Sequence, residues 1–202
     1  MPKPKKTKPE IEIKLRITDI PTIQKKIKSL GATAQPRVRE QNTLYDTPIY
    51  DLRRRDMLLR LRIETTTNGA KERVILTSKA PLHRRQTTKN RTRFKIRAER
   101  ELVVSNSFRQ FAAALKALGF LPTFRYEKFR TTSRLPNLHL DLDATPAGTF
   151  LELEGNPQAI DRAARALGFS NQAYLRATYW DLYAADCRRR GITPKNMLFR
   201  AK

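Results

Sequence analysis

Nine of the 19 carboxylates of this chain stand at alternate positions of short segments whose intervening residues are mostly apolar: Glu10, Glu12, Glu64, Glu99, Glu101, Asp141, Asp143, Glu152 and Glu154. Read with the same alternation, those faces also carry Lys14, Arg16, Arg60, Arg62, Lys79, Lys95, Arg97, Lys128 and Arg130. Successive side chains of a strand point to opposite sides. One surface therefore mixes both signs of charge, and its reverse carries residues such as Ile11, Ile13, Leu15, Leu138, Leu140, Leu151 and Leu153. Arg and Lys hold phosphoryl oxygens, and clustered carboxylates hold hard divalent cations such as Mg²⁺ or Mn²⁺. A triphosphate with a metal ion answers both halves of that surface.

The elements that must position these side chains follow from periodicity. Strict alternation over residues 10–17 predicts a strand, and Ile20, Ile23, Ile27 and Leu30 at helical spacing before Gly31 predict a helix. Strands are expected at about 38–46, 57–64, 71–79 and 93–104, the first of them without clear alternation. A helix at 107–118 carries Phe108, Phe111, Leu115 and Leu118 on one side, and strands resume at 123–134, 138–143 and 149–154. Asn156-Pro157 caps a further helix that Gly168 ends, and a last helix is expected over 172–188.

Eight strands can close a barrel whose interior holds side chains or one small ligand. The expected fold class is α+β: an eight-stranded, mainly antiparallel closed β-barrel with its charged faces inside and helices packed on its apolar outside. Buried ions cost several kcal/mol each unless paired, so such a lumen requires acids and bases to compensate one another and a ligand to complete the set. A half-open sheet with a solvated charged face is the plainer alternative.

The 202 residues suggest one domain over 10–188, with basic tails at 1–9 and 189–202. Cys187 is the sole cysteine, which excludes an internal disulfide and leaves a Cys-based zinc site without ligands. No apolar stretch reaches the length of a membrane span and the amino terminus lacks an apolar leader, so a cytoplasmic protein without membrane association is expected. The formal net charge of +23 attracts polyanions. Carboxylates in the lumen repel a phosphodiester backbone, which leaves nucleic acid to nonspecific contact with the basic surface, including Arg53-Arg54-Arg55 and Arg188-Arg189-Arg190.

With these residues in order, the chain resembles the CYTH family of triphosphate tunnel metalloenzymes over about residues 10–183. The resemblance starts with E-x-E-x-K at Glu10, Glu12 and Lys14. It continues through Tyr45-Asp46-Thr47-Pro48, Leu59-Arg60-Leu61-Arg62, Lys79-Ala80-Pro81, Arg97-Ala98-Glu99-Arg100-Glu101, Glu127-Lys128-Phe129-Arg130 and Gly148-Thr149-Phe150-Leu151-Glu152-Leu153-Glu154. Ala80 stands where many relatives have Gly, and the segment Leu82–Thr92 is unusually basic.

The resemblance implies that Lys14, Arg60, Arg62, Lys79, Arg97, Lys128 and Arg130 bind substrate phosphates. It implies that Glu10, Glu12, Asp143, Glu152 and Glu154 hold Mg²⁺ or Mn²⁺, and that Glu99, Glu101 and Asp141 bind metal or orient neighbouring cations. The substrate would be a nucleotide or inorganic triphosphate, and relatives are often homodimers. Lys14 or Lys79 would serve as catalytic base if neighbouring cations lower its pKa. The nearest branch is class IV adenylyl cyclase, which converts ATP to cyclic AMP and pyrophosphate. Thiamine triphosphatase or inorganic tripolyphosphatase is the hydrolytic alternative, and a noncatalytic polyanion-binding module is a third. Tyr174, Tyr179 and Tyr183 are expected to pack the last helix, and His83 and His139 to be bystanders.

Overall fold

A computed structural model describes residues 9–69, 71–82, 93–104 and 107–200. The expected tail over 1–8, His83 and most of the basic segment after Leu82 lie outside the described residues. The strands are β1 (Pro9–Ile17), β2 (Thr33–Ala34), β3 (Val38–Asp46), β4 (Leu58–Thr66), β5 (Glu72–Pro81), β6 (Lys95–Val104), β7 (Leu121–Leu135), β8 (Leu138–Thr145) and β9 (Gly148–Gly155). The helices are α1 (Ile20–Ser29), α2 (Asp51–Arg54), α3 (Phe108–Ala117), α4 (Pro157–Leu167) and α5 (Tyr179–Arg189), with a 3₁₀ turn at Asn171–Ala173.

Eight strands form a closed antiparallel barrel in the order β7-β3-β4-β5-β6-β1-β9-β8, and pairing of β8 with β7 completes the circle. The two-residue β2, absent from the sequence-based expectation, adds to the outer edge of β7 through Thr33 and Ala34. Register brings the charged positions together: Lys14 faces Glu152, Glu12 faces Glu154, Asp141 faces Glu152, and Arg130 faces Asp143. At the β8–β9 end, a Cβ on Gly155 would lie 2.3 Å from the Asn137 carbonyl oxygen, so the close approach of these chains needs glycine there.

The hydrophobic core lies outside the barrel wall. Ile13, Leu15, Leu140, Leu151 and Leu153 turn outward and, fully buried, meet Ile160 and Ala164 of α4 and Ile23 and Ile27 of α1. α1 starts where the Asp19 carboxylate accepts the Thr22 N–H, and α4 where the Asn156 side-chain oxygen accepts the Gln158 N–H. A second cluster sets Leu115 of α3 against Tyr45, Leu61 and Val74.

Two expectations need correction. The last helix begins at Tyr179 rather than 172, because residues before it are used to close the barrel end: the Lys14 N–H donates to the Leu175 carbonyl at 2.9 Å and the Leu175 N–H returns a bond at 2.8 Å. The segment after α5 is not a free tail over its whole length. Met197 is buried and lies beside Tyr126, where its N–H donates to Arg125 O and its carbonyl accepts the Glu127 N–H, both at 2.9 Å. No helix among the described residues is long and apolar enough to cross a membrane.

Candidate active site

The barrel encloses a cavity of about 760 Å³. Of the residues singled out from the sequence, Glu10, Glu12, Lys14, Arg60, Arg62, Lys79, Arg97, Glu99, Glu101, Lys128, Arg130, Asp141, Glu152 and Glu154 all line it. Asp143 does not. It is fully buried on the inner face beneath the lumen cations, where its carboxylate accepts Lys128 Nζ at 2.9 Å, Arg130 Nη2 at 2.6 Å and the Tyr179 hydroxyl at 2.5 Å. In this arrangement Asp143 aims two cations at the cavity.

The lumen charges fall into two linked networks. In one, Lys14 lies 3.2 Å from Glu12 and 3.1 Å from Glu152, while Arg130 reaches Asp141 at 2.8 Å and Glu152 at 2.5 Å. In the other, Lys79 lies 2.5 Å from Glu10 and 3.0 Å from Glu99, and Arg60 donates to Thr77 and Glu101 at 3.1 and 3.2 Å. At one mouth Arg97 pairs with the exposed Asp56 at 2.5 Å, and its Nε is buried without a hydrogen-bond partner among the described residues.

Burial disfavours a charge, and where a lumen pKa is shifted its direction shows whether the partners overcome that cost. For Glu12, burial is outweighed by Lys14, with Lys95 and Lys79 assisting, and the carboxyl falls to about 2. Burial, reinforced by Glu12 and Glu99 against the pull of Lys79, pushes Glu10 up to about 7. Glu154 rises to about 8 through burial and its neighbours Glu10 and Glu99. Among the described residues it has no ion-pair partner within 4 Å.

Lys14 and Lys79 do not meet the condition set for a catalytic base, a pKa lowered by neighbouring cations. Burial opposes the charge of Lys14 and of Lys79, yet Glu12 and Glu152 raise the first, and Glu10 and Glu12 raise the second. Both remain cations, because carboxylates surround them more closely than other bases do. The lumen lysine that is lowered is Lys95, to about 8, through burial and the nearby Lys14 and Arg97.

Sequence reading missed Glu40. This fully buried carboxylate sits within 3.4 to 3.5 Å of Arg62, Lys128 and Arg130 and is held well below the usual range: burial opposes its charge, but those three cations overcome it. Asn42 joins it, accepting Arg62 Nε at 3.0 Å. No signal marked them because β3 is polar on both faces. Tyr179 belongs to the packed aromatic cluster, as expected, but its hydroxyl also binds Asp143, and Lys14 and Lys128 lie 5.3 and 5.0 Å from its ring centre. Tyr183 packs on Phe124, and His139 lines the cavity without a hydrogen bond to another described side chain.

The test of fit for a divalent metal rests on the carboxylates. Among the described residues, no group of three or more His, Cys, Asp or Glu is gathered at metal-binding spacing. The carboxylates that pair with cations are largely satisfied. Glu10, which also meets Lys79, lies with Glu12 and with Glu154, directly across from Glu12, in an oxygen-rich corner where burial first and neighbouring carboxylates second raise Glu10 and Glu154. Carboxyl oxygens are the hard donors that Mg²⁺ or Mn²⁺ takes, and a cation bound there would displace the protons that burial favours.

The family model described as the CYTH domain matches residues 8–179. No curated protein sequence matches the chain. Among solved structures, the PH1819 protein of Pyrococcus horikoshii OT3 has a TM-score of 0.70 at 23% identity, covering 86% of this chain and 97% of that one. The PH1012 protein of the same organism has a TM-score of 0.66 at 26% identity, covering 86% and 98%. HpAC1 of Hippeastrum, an adenylyl cyclase candidate described as having a dominant triphosphatase activity, has a TM-score of 0.60 at 18% identity, covering 92% and 97%.

Proposed function

This chain belongs to the CYTH domain family, and from that premise we propose that its lumen binds the triphosphate of ATP with Mg²⁺ or Mn²⁺ and forms cyclic AMP and pyrophosphate. The observation that supports this is the cavity wall itself: Lys14, Arg60, Arg62, Lys79, Arg97, Lys128 and Arg130 face one space together with carboxylates. A simple polyanion-binding surface has no use for buried acids.

In this reading the cations replace the hydration shell of the phosphates. Arg60, Arg62, Lys128 and Arg130 grip nonbridging oxygens, exchanging some of their present contacts with carboxylates for contacts with substrate. Lys79 and Arg97 extend that track towards the mouth. Glu10, Glu12, Glu152 and Glu154 would hold the metal, which when bound neutralises charge on the phosphoryl oxygens and the leaving group. Asp143 and Glu40 act through the cations they touch, fixing Lys128, Arg130 and Arg62 before substrate arrives. Lys14 and Lys79, each held by two carboxylates, contribute charge and position rather than accepting a proton.

The reaction is an in-line displacement in which the ribose 3′-hydroxyl bonds to the α-phosphorus and passes its proton to water, and the bond to the β-phosphate oxygen breaks to release pyrophosphate. Water attacking the terminal phosphorus in the same lumen would release orthophosphate, and the likeness to HpAC1 favours that as the second reading. Product analysis with ATP, thiamine triphosphate and tripolyphosphate, each with Mg²⁺ or Mn²⁺, separates the two. Cyclic AMP and pyrophosphate from wild type, but not from a Glu152→Gln/Glu154→Gln variant, is the expected result. Orthophosphate alone would move the assignment to the hydrolase.

A further inference from the structure

The two ends of the cavity differ in chemistry. Phe124 and Arg134 both line it and are ten residues apart on β7, about 30 Å of strand. Around Arg134 the wall is polar, with Gln35, Thr132 and His139. Around Phe124 it is aromatic, with Tyr126 and Trp180, and carries the guanidinium of Arg53, on the same turn as the cavity-lining Tyr50.

This aromatic mouth is held in shape and joined to the cationic lumen. The Asp46 carboxylate accepts the backbone N–H groups of Thr47, Leu52 and Arg53 at 2.8 to 2.9 Å, which fixes the turn bearing Tyr50 and Arg53. Tyr50 is kept at φ 57°, a conformation rare for a bulky side chain, with its side chain half exposed. Among the described residues no other aromatic ring packs on it. Trp180 meets Phe124 edge to face at 4.9 Å and lies 5.6 Å beneath the Arg53 guanidinium. Phe124 stacks on Tyr126, whose hydroxyl accepts Arg60 Nη1 at 3.3 Å. A continuous path thus runs from a phosphate-binding candidate to an aromatic rim.

Inorganic tripolyphosphate gains nothing from such a rim, whereas a planar organic group gains contact area against rigid rings. We propose that the mouth formed by Tyr50, Arg53, Phe124 and Trp180 receives the uncharged heterocyclic base of a nucleoside triphosphate and selects it over inorganic tripolyphosphate. The proposal rests on the triphosphate reading of the lumen. Arg53 stacks favourably on a neutral base and repels a cationic ring such as the thiazolium of thiamine, which sets the preference among organic triphosphates.

Trp180 is the only tryptophan in the chain, so its fluorescence reports on this mouth directly. In stopped-flow mixing with Mg²⁺, before turnover, ATP should change that fluorescence. Tripolyphosphate should leave it nearly unchanged while still displacing ATP. Arg53→Ala, which removes an exposed side chain, and Trp180→Leu, followed by calorimetry, should each weaken ATP about tenfold and tripolyphosphate less than twofold. The proposal is overturned if both anions alter the fluorescence alike, or if Arg53→Ala affects both ligands equally or neither. If wild type binds neither anion, the triphosphate reading of the lumen fails and this inference falls with it.

Discussion

The two faces of β1 and β9 put opposite solutions to burial within one strand thickness. Outward, Ile13, Leu15, Leu151 and Leu153 are fully buried against α1 and α4, where non-directional packing stabilises the fold. Inward, Glu12, Lys14 and Glu152 are almost as buried and depend wholly on partner geometry. Replacing buried ion pairs by apolar side chains of similar volume is often neutral or stabilising. Stability therefore does not account for the charged wall, and the outer layer is what holds the fold together.

Substitutions can break this contrast. The largest effect is expected from Lys128→Met, which leaves Asp143 and Glu40 short of a buried cation: about 3 to 5 kcal/mol of stability lost in chemical denaturation, together with loss of turnover. Leu153→Ala should cost about 2 to 5 kcal/mol in the same assay. The fraction that stays folded should keep wild-type kcat, because the outer layer does not touch the substrate.

Glu154→Gln sharpens the comparison from the other side. In metal-free protein the folded state holds protons on Glu154 up to about pH 8, above the ordinary value of 4.5. Between those two pH values the unfolded chain releases the proton first, so this group takes stability away as pH rises, with the full loss reached above 8. The variant should melt higher than wild type at pH 8.5, match it near pH 4, and lose part of the wild-type Tm increase on adding Mg²⁺. The smallest effect belongs to Arg54→Ala, which removes an exposed pair with Asp51. Stability should change by less than about 0.5 kcal/mol and kcat should stay the same.

What the sequence made legible follows the same division. Where one face is apolar and the other charged, as in β1, β4, β8 and β9, alternation alone assigned most side chains to lumen or core; Arg16 of β1 is an exception, exposed over the Phe150 ring. In β3, Glu40 and Asn42 alternate with Arg39, Gln41 and Thr43, so both faces are polar and a fully buried carboxylate escaped notice. The start of α5 and the docking of Met197 depend on backbone bonds to strands far away in the chain, which local periodicity does not encode. Charge type was legible, but the balance around each charge was not. The placement of Lys14 between Glu12 and Glu152 emerges only from register, and it raises the lysine where a catalytic base would need it lowered.

The most direct test of the lumen as the triphosphate site is calorimetric titration of ATP with Mg²⁺ into wild type and Arg62→Met, after circular dichroism has shown the same fold for both. A single site per chain in wild type, weakened at least tenfold in the variant, is the predicted result. Equal binding to both proteins would assign the anion affinity to the basic exterior and contradict the account.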